Sequence, residues 1–101
     1  MRLNQYEVNS IKKVAERVFG EQWKVLLFGS RVDDTVRGGD IDLYIQPESK
    51  DNLNKKRIRF IVDLESLIGE QKIDVVLARD PERLIEQEAL TKGIQLWIYM
   101  S

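Results

Sequence analysis

The sequence predicts one small α/β domain of the α+β kind, with helices packed against a mixed, twisted β-sheet. Three observations carry that prediction. Two long stretches repeat apolar residues at helical spacing, several shorter runs have the length and alternation of strands, and the two kinds interleave along 101 residues without linker, repeat or low-complexity segment. The length suffices for a single core, so residues 1–101 are expected to form one domain.

Residues 4–19 place Val8, Ile11, Val14, Ala15 and Val18 at helical spacing, and Asn4 with Glu7 has the form of a capping box; Gly20 ends the helix. Trp23 to Phe28 is an apolar run that fits a buried strand and stops at Gly29-Ser30. Ser30 can cap a short helical turn, which Gly38-Gly39 breaks, and Asp40 to Gln46 alternates as a second strand. After Pro47, a long helix is expected over residues 51–68. Its buried stripe is Leu53, Ile58, Ile61, Leu64 and Ile68, widened by Phe60 and Leu67.

Lys72 to Ala78 reads as a third strand, with Ile73, Val75 and Leu77 on one side and Asp74, Val76 and Ala78 on the other. Apolar residues on both faces suggest an interior strand. Pro81 suits the first turn of a last helix to about Lys92, Gly93 its C-terminal stop, and Ile94 to Met100 a fourth strand.

Composition removes whole classes of function. With neither histidine nor cysteine, Ser-His-Asp and Cys-His catalysis and the usual zinc sites are excluded, leaving carboxylates, hydroxyls, Lys, Arg or an oxygen-liganded metal. The net charge of −1, from 16 basic and 17 acidic residues, lacks the basic footprint of a protein that grips long nucleic acid. No apolar run has the ~20 residues of a membrane span, and the N-terminal residues lack the apolar segment of a signal peptide. A cytoplasmic protein is expected.

The stretch FGSRVDDTVRGGDIDLYI, residues 28–45, poses the chemical question. Asp40 and Asp42 stand one residue apart on a strand, roughly 6.5–7 Å between Cα atoms on the same face, where two carboxylates repel. Asp74 is the acid of the third strand; beside the second strand in suitable register, it would complete a set of three. Such hard oxygen ligands suit Mg²⁺ or Mn²⁺, and two such ions serve phosphoryl and nucleotidyl transfer. Gly29 lets backbone approach a phosphate, a helix start at Ser30 offers N–H groups to an anion, and Arg31 supplies a charged fork. Plainer roles stand beside these: Gly29-Ser30 as a turn and cap, Asp40 and Asp42 as solvated edge carboxylates, Asp74 as an ion-pair partner of Lys72, Arg31 as a surface residue.

Taken together, Gly29-Ser30, nine intervening residues, Asp40-Ile41-Asp42-Leu43 and the later Asp74 resemble the DNA polymerase beta-type nucleotidyltransferase superfamily. Within it, GSR followed by GDIDL is most similar to the minimal nucleotidyltransferases, or MNT proteins, over nearly the whole chain. The resemblance implies the nucleotidyltransferase fold and transfer of a nucleoside monophosphate, AMP from ATP, to a hydroxyl acceptor. It implies that Gly29 and Ser30 hold the triphosphate, that Asp40 and Asp42 bind two Mg²⁺ or Mn²⁺ ions, and that Asp74 completes one metal site near the acceptor. It also implies pairing with a small helical HEPN toxin, in which the MNT partner is the antitoxin and can add AMP to a tyrosine. Two other functions remain open: a nucleotide-binding antitoxin that acts by occlusion without catalysis, and an enzyme modifying a small molecule such as an aminoglycoside.

Overall fold

The structure, a computed structural model, describes residues 3–20, 23–29, 41–69 and 71–99, the last five as backbone. Its elements are α1 (Gln5–Phe19), β1 (Trp23–Phe28), β2 (Ile41–Pro47), α2 (Leu53–Ile68), β3 (Ile73–Leu77), α3 (Leu84–Lys92) and β4 (Ile94–Tyr99). The helical turn expected after Ser30 and its break at Gly38-Gly39 lie outside the described residues. Among the described residues, no helix is long and apolar enough to cross a membrane.

The capping box forms as expected. Glu7 N–H donates to Asn4 Oδ1 at 2.8 Å and Asn4 N–H to Glu7 Oε1 at 3.1 Å, which satisfies two of the donors a helix start leaves unpaired. β1 runs antiparallel to β2 on one side and to β4 on the other, while β2 and β3 are parallel, giving the order β3-β2-β1-β4. The sheet is therefore mixed, and a helical crossover, α2, joins its parallel pair.

Strand alternation divides the core between two faces. On one, Trp23, Val25 and Leu27, Ile41, Leu43 and Ile45, and Ile73, Val75 and Leu77 pack beneath α1 and α2. On the other, Leu26, Phe28, Tyr44 and Ala78 pack with Ala89 of α3. Phe60 is fully buried and its ring meets that of Phe19 at 5.8 Å between centroids, joining α2 to α1. Burial of such a side chain contributes about 1.5–3 kcal/mol.

Three expectations are corrected. β3 is an edge strand, not an interior one: helices cover both of its faces, so apolar residues line both, but its outer edge has no strand beside it among the described residues. Ile58 is 56% exposed, because the stripe of α2 centres on Phe60 and Leu64 and leaves Ile58 and Val62 on the outer side. α3 begins at Leu84, with Pro81 in the preceding turn, and Gly93 is extended (φ −71°, ψ 151°) rather than left-handed. A side chain at Gly93 would collide with the Ala89 carbonyl and crowd Leu26 at 3.3 Å, so close packing explains this glycine.

α3 has only nine residues and no side-chain cap at its start. Glu86, fully buried, fixes it in place. Its Oε1 accepts the Tyr44 hydroxyl at 2.7 Å, and its Oε2 accepts the N–H groups of Arg79 (3.1 Å) and Asp80 (2.9 Å) and Nη1 of Arg83 (3.1 Å). One carboxylate thus ties β2, the segment after β3 and α3 together. Burial alone would push this carboxyl up, but hydrogen bonds from Asp80, Tyr44 and Arg79, with the Arg83 charge, hold it below its ordinary 4.5. Burial, and the hydrogen bond to Glu86, push the Tyr44 hydroxyl up from 10.0.

A lowered carboxyl pKa contributes stability that is complete above 4.5 and is lost as pH falls through the folded-state value. Glu86→Gln should therefore lower stability near neutral pH by roughly 3 kcal/mol, since it leaves Arg83 and the surrounding donors poorly paired. Urea denaturation of both proteins should show this gap narrowing below pH 4.5; a gap independent of pH would contradict the role given to the charge.

Candidate active site

Strand register builds the site. Phe28 of β1 is the partner of Asp42 on β2, and Asp42 is the partner of Asp74 on β3, so the three residues form one row across the sheet. They share the face on which α3 packs, but α3 covers the far end, where Tyr44 and Ala78 are buried with Ala89. At the near end, Asp42 is half-buried and Asp74 exposed. Neighbouring strands lie about 4.8 Å apart, which brings two opposed carboxylates close enough to share a cation and to repel without one.

Asp74 has no hydrogen-bond or ion-pair partner among the described residues. That removes the plainer reading in which Lys72 neutralises it.

Gly29 stands directly beyond Phe28 with φ +76°, a conformation that favours glycine. A Cβ there would collide with Oδ2 of Asp42 and come within 3.1 Å of its Cγ. The Asp42 carboxylate thus lies against bare backbone at the end of β1. The sequence pointed to Gly29 for phosphate approach and missed this contact; its only local signal was a glycine closing an apolar run.

Of the six residues singled out, Gly29, Asp42 and Asp74 come together at one end of the sheet. Ser30, Arg31 and Asp40 lie outside the described residues. The donor chemistry fits a hard divalent cation, because two carboxylates are paired across β2 and β3 in a chain that has no histidine or cysteine to offer a softer metal.

The mixed four-stranded sheet with its helices has the nucleotidyltransferase fold, and the family comparison agrees. The family model described as polymerase beta, nucleotidyltransferase, matches residues 9–99, and the chain belongs to that family. Comparison with curated proteins finds no match.

Among solved structures, several neighbours are toxin-antitoxin complexes. A chain of the MntA-HepT toxin-antitoxin is 25% identical with a TM-score of 0.69, over 93% of this chain and 72% of that one. A toxin-antitoxin structure with AMP-PNP is 27% identical with a TM-score of 0.72, over 89% of this chain and 72% of that one. A structure of tri-AMPylated Shewanella oneidensis HEPN toxin in complex with MNT antitoxin is 26% identical with a TM-score of 0.70, over 94% of this chain and 72% of that one.

Gly29→Ala should cost about 1–2 kcal/mol from backbone conformation alone, and displace the Asp42 side chain as well. Urea denaturation should show the loss; unchanged stability would contradict the contact between Gly29 and Asp42.

Proposed function

We propose that the protein is a divalent-cation-dependent transferase that moves AMP from ATP to a hydroxyl group of a HEPN-type protein partner. The row of Asp42 and Asp74 beside Gly29 is the observation that carries this reading. Membership of the nucleotidyltransferase family, the AMP-PNP in one structural neighbour and the AMPylated HEPN toxin in another support it.

Asp42 and Asp74, with Asp40, would hold Mg²⁺ or Mn²⁺. Bound there, the cation supplies positive charge for the α-phosphate and the departing pyrophosphate. Gly29, lacking a side chain, lets the Asp42 carboxylate lie against the backbone at the end of β1, and the triphosphate would be held beside it through the cation. Ser30 and Arg31 would bind the rest of the triphosphate.

The transfer itself is an in-line displacement. The acceptor oxygen bonds to the α-phosphorus, the bond from that phosphorus to the pyrophosphate oxygen breaks, and the hydroxyl proton passes to a carboxylate. Asp74, exposed at the edge of the sheet, is the carboxylate an incoming acceptor can reach. The same exposure lets a protein, rather than a small enclosed substrate, present the hydroxyl.

Asp40→Asn/Asp42→Asn is nearly isosteric and should preserve the fold. Calorimetry should show Mg-ATP binding by the wild-type chain, at least about tenfold weaker in the double variant, as expected when a charge-paired contact is lost. Incubation with labelled ATP, Mg²⁺ and a HEPN-type protein should label that protein only with the wild-type chain, and only the wild type should neutralise it. Full neutralisation by the unlabelling double variant would instead assign the protein to occlusion.

A further inference from the structure

The strand that carries Asp74 has an open side. Ile41 donates its N–H to the Lys72 carbonyl at 2.9 Å, and Ala78 donates to the Ile45 carbonyl at 2.9 Å. Parallel partners recur at every second residue, so Lys72, Asp74, Val76 and Ala78 turn their main-chain groups toward β2. The N–H and C=O groups of Ile73, Val75 and Leu77 therefore point away from the sheet. Among the described residues no strand receives them.

A groove of about 270 Å³ lies along this edge. Val75 and Leu77 line it together with Asn54 and Arg57 of α2 and with Arg79 and Arg83 from the segment between β3 and α3. Among the described residues no carboxylate lines it. Arg83 is held by Glu86, but the guanidinium groups of Arg57 and Arg79 have no hydrogen-bond or ion-pair partner among the described residues. In a chain of net charge −1, three guanidinium groups around one groove are a local concentration of positive charge.

We propose that this groove docks an extended, acidic segment of a protein partner as an additional strand beside β3. The main-chain groups of Val75 and Leu77 that no described strand receives match those of another strand, and the guanidinium groups match its carboxylates. A nucleic acid would meet the positive charge but leave the main-chain groups unpaired, so a peptide uses more of the surface. Leu77 is three residues from Asp74, roughly 10 Å along the strand. A segment paired along this edge can thus carry a hydroxyl side chain to the carboxylate row, a consequence that rests on the transferase reading; the docking itself does not.

The probe is a short fluorescein-labelled peptide in which Glu and Val alternate around one Tyr, followed by fluorescence anisotropy. It should bind the wild-type chain. Affinity should fall at least about tenfold in Arg57→Glu/Arg79→Glu, as for reversal of a docking charge pair. Methylation of alternate peptide nitrogens, and Lys in place of Glu, should each abolish binding. The double variant should keep the wild-type melting temperature and Mg-ATP affinity. Asp42→Asn should keep peptide affinity while losing Mg-ATP, so failure of the docking and failure of the transferase reading give different results. Absence of binding to the wild type, equal binding of the Lys or methylated peptide, or undiminished binding by the Arg variant would overturn the proposal. Displacement of the peptide by a single-stranded oligouridylate whose own affinity depends on Arg57 and Arg79 would reassign the groove to nucleic acid.

Discussion

The parallel register of β2 and β3 sets Asp42 opposite Asp74, and the chemistry of the molecule follows from that pairing. Side chains alternate along a strand, so a slip of one residue would turn one carboxylate into the core beneath α1 and α2 and leave the other alone. The apolar alternation prevents the slip. Ile41, Leu43 and Ile45 on β2, with Ile73, Val75 and Leu77 on β3, are all buried on the opposite face. Hydrophobic burial thereby holds two like charges side by side, an arrangement that electrostatics alone would not select.

Around that row, the described elements cover one end of the sheet face and not the other. Glu86 fixes the cover by joining Tyr44, the backbone at Arg79 and Asp80, and Arg83, so that α3 sits over the far end of the sheet. A charge this deeply buried is tolerated because four donors converge on its two oxygens. At the near end no described helix covers the row, and there Gly29 brings bare backbone against Asp42. A single face of the sheet thus holds a buried polar anchor and a carboxylate row whose outer member, Asp74, is exposed.

Much of this was legible in the sequence because local signals and tertiary structure agree. The capping box at Asn4 and Glu7, the run from Trp23 to Phe28 and the alternation around Asp42 each specify an element without help from distant residues. Asp42 and Asp74 were recognisable because carboxylates in apolar strands need a reason. What the sequence misjudged depends on placement in space. Apolar residues on both faces of β3 report helices above and below, and cannot report whether a neighbouring strand is present. Ile58 fits a helical stripe on paper, yet Phe60 sets the side of α2 that turns inward. Glu86 looks like any helix-surface acid, because its partners come from three separate segments. Arg57 and Arg79 likewise meet only through the fold.

The carboxylate row is most directly tested by paramagnetic broadening of backbone amide signals on titration with Mn²⁺. The pairing of β2 with β3 predicts that the amides of Gly29, Asp42 and Asp74 lose intensity together, at the same low Mn²⁺ concentration, and that Asp42→Asn protects all three. Broadening confined to one strand, or centred on acidic residues of the helices while these amides stay sharp, would contradict a shared cation site.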